Sequence, residues 1–431
     1  MKKKVAEEEA DLLIENASEL LTIRGGTEKP LLGERMRDLG IIREGSVAIR
    51  NGKVIAVGKT EQIRKKFESS KVIDASEKVV MPGFVDPHTH LVFAGSREDE
   101  FEMRIEGTAY MEILRRGGGI LKTVRETRKA SKEELLESCK KTLDVMLEHG
   151  TTTVEAKSGY GLTPKDEIEC LEVMKLANEE HPVGIVPTFL GAHAVPAEYK
   201  DNPDEYVNLI TDEIIPKVAA CKLAEFCDVF CEKGVFDVEQ SRRILLKGKE
   251  HGLKLKLHAD EMTRLGGAEL AAEMQAVSAE HLLFSSDDGL KAMAEQRVVA
   301  VLLPGAALML MMERYADARR MVELGVPVAL GTDYNPSCLV ESQQIVISLA
   351  CLQMRMTPAE AIVAATINAA HAVNRSHDVG SLELGKRADI IVLNVPNHRF
   401  LGYRFGVNLV DKVIKDGRLV VDGVRRFKAD S

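Results

Sequence analysis

Two histidines, His88 and His90, stand one residue apart at the end of the stretch Met81-Pro-Gly-Phe-Val-Asp-Pro-His-Thr-His90. On an extended strand, residues i and i+2 point to the same side, so both imidazoles can reach a single ion. Imidazole suits zinc, iron and nickel. The pair alone is a weak signal, and a metal centre needs ligands from elsewhere in the chain. His258 and Asp333 each lie just past another apolar run. With the first two they make three neutral imidazoles and a carboxylate, a set that leaves room for water. On zinc, the pKa of bound water falls from about 16 toward about 7, which gives hydroxide at neutral pH.

Residues so far apart in sequence need a scaffold that brings strand ends together. The middle of the chain alternates apolar runs with stretches of helical period. The runs are Gly83–Asp86, Thr152–Ala156, Gly184–Leu190, Phe226–Phe230, Leu253–Leu257, Ala276–Ala279, Val298–Leu303 and Val326–Leu330. The intervening segments include Lys132–Glu148, Pro164–Glu180 and Asp237–Glu250. Eight such alternations predict an α/β fold, a (β/α)₈ TIM-type barrel. An open doubly wound sheet is the alternative, but no G-x-G-x-x-G or Walker loop follows any run. Gly117-Gly118-Gly119 falls between helices and reads as a hinge. Short strands before residue 83, with Asn51-Gly52 as a hairpin turn, match in style the strands after residue 379. They predict one small β-sandwich domain built from both termini, 1–82 and 379–431, flanking a catalytic barrel over 83–378.

In such a barrel the reactive groups sit where strands end. Past the runs come Arg97, Tyr160, His193, Glu261, His281 and Asn335, while the fourth run offers only Glu232 and Lys233. Five of the eleven histidines lie at strand ends, on four different runs. The other six, His149, His181, His251, His371, His377 and His398, fall in helices, at helix ends or in the tail and read as ordinary. Arg97 presents a planar fork suited to a carboxylate. The 431 residues are 45% hydrophobic and 29% charged, with a net charge of -9 and no basic stripe, which argues against nucleic acid or an anionic membrane as partner. No apolar run approaches a membrane span, so the expected compartment is the cytoplasm. Seven scattered cysteines fit reduced thiols, with Cys227 and Cys231 as core residues.

Several long motifs, in order, resemble the amidohydrolase superfamily over nearly the whole chain. The broad cues are Pro82-Gly-Phe-Val-Asp-Pro-His-Thr-His90 and Gly385-Lys-Arg-Ala-Asp-Ile-Ile-Val-Leu393. Narrower cues point to its branch in histidine degradation: Leu91-Val-Phe-Ala-Gly-Ser-Arg-Glu98, Lys157-Ser-Gly-Tyr-Gly-Leu162, Phe189-Leu-Gly-Ala-His-Ala-Val-Pro196, His258-Ala-Asp-Glu261 and Thr332-Asp-Tyr-Asn-Pro336. The resemblance implies hydrolysis of 4-imidazolone-5-propanoate to N-formimino-L-glutamate by attack of metal-bound hydroxide on the ring carbonyl. By position it implies one zinc or iron ion on His88, His90, His258 and Asp333. Arg97, Tyr160 and His193 match substrate-binding positions. Glu261 matches a substrate-contacting acid/base and His281 a residue near the attacking water; Asp333, as a ligand beside that water, can also accept its proton. Asn335, Ser337 and Cys338 fall in a substrate loop where many relatives carry Gly-Ser after Asn-Pro. Two-metal relatives use a carboxylated lysine on the fourth strand; Lys233 lies past that run, so a single ion is expected. A homodimer is the expected assembly. A nucleobase aminohydrolase and a non-catalytic scaffold are the competing readings.

Overall fold

Eight short strands form one parallel sheet in strict chain order: Phe84–Asp86, Thr151–Lys157, Gly184–Ala192, Phe226–Cys231, Lys254–Ala259, Ser278–His281, Val299–Leu302 and Val328–Leu330. Each pairs in parallel with the next, as the crossover helices between them require. The computed structural model describes residues 8–108 and 110–423. The ring closes just beyond the ends of its first and last strands. There Thr89 bridges Tyr334 in parallel, Asp333 N–H donates to the His88 carbonyl (3.1 Å), and His90 N–H donates to the Tyr334 carbonyl (2.8 Å). The closing seam therefore runs through the H-x-H pair and Asp333.

Helices Lys132–Glu148 and Pro164–Glu180 span the residues that periodicity predicts, and the third begins at Val238. Their starts are fixed locally. Ser131 and Glu134 form a reciprocal capping box, Thr163 caps a helix with Pro164 in its first turn, and Asp237 with Gln240 makes a second box. Three further helices, Glu98–Ile105, Tyr110–Arg115 and Ile120–Thr127, lie between the first strand and helix Lys132–Glu148.

Alternation along the strands separates two environments. On the fifth strand Leu255, Leu257 and Ala259 join the core under the helices, while Lys256 and His258 are buried elsewhere, inside the ring. The floor of the ring is apolar: Val85, Val186, Phe226, Val299, Val301 and Ala329 pack with Ala369 and Ala370 of helix Ile367–Ala372. Reactive groups thus sit above a dry base.

Both termini contribute to a six-stranded sheet. Its order runs Arg418–Asp422, Val410–Lys415, Ile390–Leu393, Val79–Pro82, Glu19–Leu21 and Ile41–Ile42. A four-stranded sheet of Lys53–Lys59, Gly45–Arg50, Leu12–Ala17 and Val72–Asp74 faces it. Period-two alternation gives the six-stranded sheet two jobs. Val80, Ile390 and Val392 pack against Ile14, Val47 and Ile49 of the other sheet, and Met81, Ile391 and Leu393 pack into the barrel core. The Asn51-Gly52 turn has positive φ at both residues (51° and 73°), as a two-residue hairpin demands.

Candidate active site

His88, His90 and Asp333 form one trio whose ligand atoms all lie within 4.8 Å of one another, and His88, His258 and His281 form another. All five residues are buried. Asp333 Oδ1 lies 3.4 Å from His88 Nε2 and 3.5 Å from His90 Nε2. The four ligands expected from the sequence are split between the trios, with His88 common to both. Nε2 of His88 and of His258, and Nδ1 of His90, are buried without an aligned hydrogen bond. Polar atoms withdrawn from water without partners are costly, and a cation among them removes that cost. Three imidazoles and a carboxylate fit zinc or iron.

Buried carboxylates hold the segments that carry several of these side chains. Asp86 accepts from Thr332 N–H (3.1 Å) and the Thr332 hydroxyl (2.6 Å), which ties the first strand to the loop of Asp333. Burial drives the Asp86 pKa up to about 7 despite these bonds. Asp333 itself adopts φ 51°, and though burial opposes its charge, the neighbouring His88 holds its pKa down at about 2. Asp260 accepts from the N–H groups of Leu265, Gly266, Gly267 and Ala268 at 3.0–3.1 Å, anchoring the turn between His258 and helix Gly267–Met274. Glu232 accepts from Met262 N–H (2.9 Å) and from the Thr263 hydroxyl, so it braces the segment just past Glu261.

Glu261 and His281 approach each other, Oε1 to Nδ1, at 3.6 Å. Burial, then the charges of Asp333 and Glu232, push the Glu261 pKa up to about 8. Burial takes the His281 pKa down to about 3. His193 stacks on His90 with ring centroids 4.8 Å apart, and its Nδ1 bonds the Gly159 carbonyl at 3.0 Å. Its pKa also falls to about 3 through burial. The ring of Tyr160 lies 5.1 Å from His193 and 5.8 Å from His90. The loop carrying it is folded by Glu167, which accepts from Gly159, Gly161 and Leu162 N–H at 2.8–3.2 Å. Arg97 is buried at the start of helix Glu98–Ile105 and has no carboxylate partner among the described residues. Its neighbours are otherwise engaged, Asp99 by Lys122 and Glu98 by Ser96.

The substrate-loop candidates divide. Asn335 is buried, with Nδ2 donating to the Asp333 carbonyl (2.8 Å) and Oδ1 accepting from Ser337 N–H and hydroxyl (2.9 and 2.8 Å). Ser337 stays half-buried, whereas the Cys338 side chain packs into the apolar floor with Sγ 3.7 Å from the Thr332 carbonyl. Lys233 is exposed.

Beneath the imidazoles lies a layer of charge, of which only Lys157 and Glu280 stand at the ends of apolar runs. Glu155, Lys157, Asp228, Lys256 and Glu280 are all fully buried. Lys157 Nζ meets Glu155 (2.7 Å), Asp228 (2.8 Å) and Glu280 (2.9 Å). Glu280 and Asp228 in turn reach His88 Nδ1 and His258 Nδ1, the second at 3.0 Å. The signal was present as polar residues two apart that span the end of an apolar run, Glu155/Lys157 and Lys256/His258, on the face opposite the core residues.

The chain matches the model of the amidohydrolase family over residues 79–420. It is 55% identical over 416 residues to the imidazolonepropionase of Geobacillus kaustophilus, covering 95% of this chain and 98% of that one. With the imidazolonepropionase of Alkaliphilus metalliredigens it shares 52% over 415 residues, 96% and 98% of the two chains. Among solved structures, a zinc-bound adenosine deaminase from Xanthomonas campestris superposes with a TM-score of 0.73 at 19% identity, over 97% of this chain and 94% of that one. The guanine deaminase of E. coli superposes at 0.72 and 15%, over 96% and 99%. At such identities these two show the shared fold.

Proposed function

Because the chain belongs to the amidohydrolase family, and within it to the imidazolonepropionases, we propose that it hydrolyses 4-imidazolone-5-propanoate to N-formimino-L-glutamate in histidine degradation. The observation that carries this reading is the meeting of His88, His90, His258 and Asp333 with Arg97, Tyr160, His193 and Glu261 at one end of the barrel. We assign the first four as ligands of a single zinc or iron ion. Exposed Lys233 offers no ligand for a second. When bound, such an ion acidifies water and polarises a carbonyl.

Ring opening adds water across one carbon–nitrogen bond. The water oxygen bonds to the ring carbonyl carbon, the carbon–nitrogen bond breaks, and the departing nitrogen takes a proton. Asp333, kept ionised, accepts the proton that leaves the water. Neutral His281 orients that water and stabilises the oxyanion. Glu261 gives the second proton to the nitrogen, and its burial favours the protonated form that does so. The Arg97 fork takes the propanoate carboxylate. His193 donates through Nδ1 to Gly159, which leaves Nε2 to accept from the substrate, beside the Tyr160 ring. Asn335 and Ser337 shape the facing loop; the thiol of Cys338 supports it from below.

The seven cysteines are free and no described helix is long and apolar enough to cross a membrane, which fits a cytoplasmic enzyme. Exposed Leu352 and Tyr403, on helices that touch where Gly402 meets Cys351, give a second copy an apolar surface to cover in a homodimer. His258→Ala tests the ligand set: it should purify without its ion and without activity. Full metal occupancy by elemental analysis would remove His258 from the set, and two ions on the parent chain would contradict a mononuclear site.

A further inference from the structure

We infer that Lys157 is a positioning residue for the metal centre, its ammonium fixing the two carboxylates that orient the His88 and His258 imidazoles. The inference rests on the ligand set proposed above. What singles out Lys157 is oxygen sharing. Asp228 Oδ2 lies 2.8 Å from Lys157 Nζ and 3.0 Å from His258 Nδ1. Glu280 Oε2 lies 2.9 Å from the same Nζ and also contacts His88 Nδ1. One buried ammonium therefore holds the oxygen behind each imidazole, and it links strands two, four and six.

The chemistry of the ligands makes that hold consequential. An imidazole offers its Nε2 lone pair to a metal only when the proton sits on Nδ1, and a carboxylate behind Nδ1 fixes this tautomer and the ring's orientation. Glu155, Asp228 and Glu280 share one layer with no exposure to water. Without a central cation, their mutual repulsion would turn one of them aside from its imidazole. A carboxylate turned aside no longer fixes the ring in front of it, and the imidazole loses its set orientation toward the metal. Lys256 does not duplicate the role: its Nζ reaches Glu280 Oε1 (3.0 Å) and the Pro87 carbonyl (3.3 Å), but it is not a partner of Asp228.

A bland alternative is that Lys157 only balances buried charge. The double variant Lys157→Met/Glu155→Gln separates the two, because it removes one charge of each sign and Glu155 contacts no imidazole. Thermal midpoint, zinc Kd by chelator competition, and the visible spectrum of the cobalt-loaded protein should be compared with the parent. Charge balance alone predicts parental values for all three. The positioning role predicts a folded protein whose zinc Kd is weakened about 10–100-fold and whose cobalt bands shift. Asp228→Asn, which leaves two carboxylates against two ammoniums, is the second variant and should show the same loss. Either variant, folded, with parental Kd and spectrum overturns the inference. A parent chain that binds neither zinc nor cobalt would refute the ligand set instead, a separate outcome from unchanged binding in the variants.

Discussion

The roles proposed for Glu261 and Arg97 are the two at the residue scale that substitution separates most cleanly. Glu261→Gln keeps the shape of the side chain but cannot carry a proton. Its kcat should fall by about 10²–10⁴ while bound metal stays at the parental level. An unchanged kcat with metal in place would move the proton transfer to Asp333 alone. Arg97→Lys keeps the charge and loses the planar fork. A charge-assisted contact is worth about 1.5–3 kcal/mol, of which lysine recovers a part, and the loss should appear mainly in KM. Kinetics equal to the parent's would remove Arg97 from the substrate's carboxylate. Glu261 stands out in the sequence because it follows a strand end closely, and Arg97, farther along from its strand, through the motif Leu91-Val-Phe-Ala-Gly-Ser-Arg-Glu98. Of the buried quintet Glu155, Lys157, Asp228, Lys256 and Glu280, the second and last are visible only as charges next to a run's end. The other three are hidden because a charge embedded in an apolar run reads as an interruption. Inside a barrel the same charge marks the inward face.

At the scale of elements, the loops are shaped by carboxylates that each gather several backbone N–H groups. Glu167 folds the loop of Tyr160, Asp260 the turn after His258, and Asp86 the seam beside Asp333. These clamps join residues up to 246 positions apart, so sequence spacing alone gives no view of them. Helix starts were legible because a capping box is local, as at Ser131 and Asp237. A strongly constrained loop position is Gly159, at φ 109°, where a Cβ would lie 2.8 Å from the Leu190 carbonyl oxygen and 2.9 Å from the His193 Cβ. Gly159→Ala should therefore destabilise the fold by about 1–3 kcal/mol. It should also raise KM by displacing Tyr160 and His193 together. Equilibrium unfolding and steady-state kinetics read the two effects. A variant as stable as the parent, with parental KM, would show that the loop adapts and does not set substrate binding.

Over the whole molecule, the ring of eight strands was readable from the regular return of apolar runs, and the presence of further sheets from the strand patterns at the two ends. What the sequence leaves open is how the two parts join. The six-stranded sheet lends Val80, Ile390 and Val392 to one core and Met81, Ile391 and Leu393 to the other, a division visible only once its strands are paired. That shared sheet abuts the strand leading to the H-x-H pair: Gly83 N–H donates to the Asp389 carbonyl at 2.9 Å. The whole construction serves one reaction, and the direct test is to supply its substrate. Purified, metal-loaded protein is incubated with 4-imidazolone-5-propanoate while the ring's ultraviolet absorbance and the appearance of N-formimino-L-glutamate are followed together. The absorbance should disappear at a catalysed rate with stoichiometric product, and removal of the metal by a chelator should stop both until zinc or iron is restored. Metal-replete protein that leaves the ring intact would contradict the account.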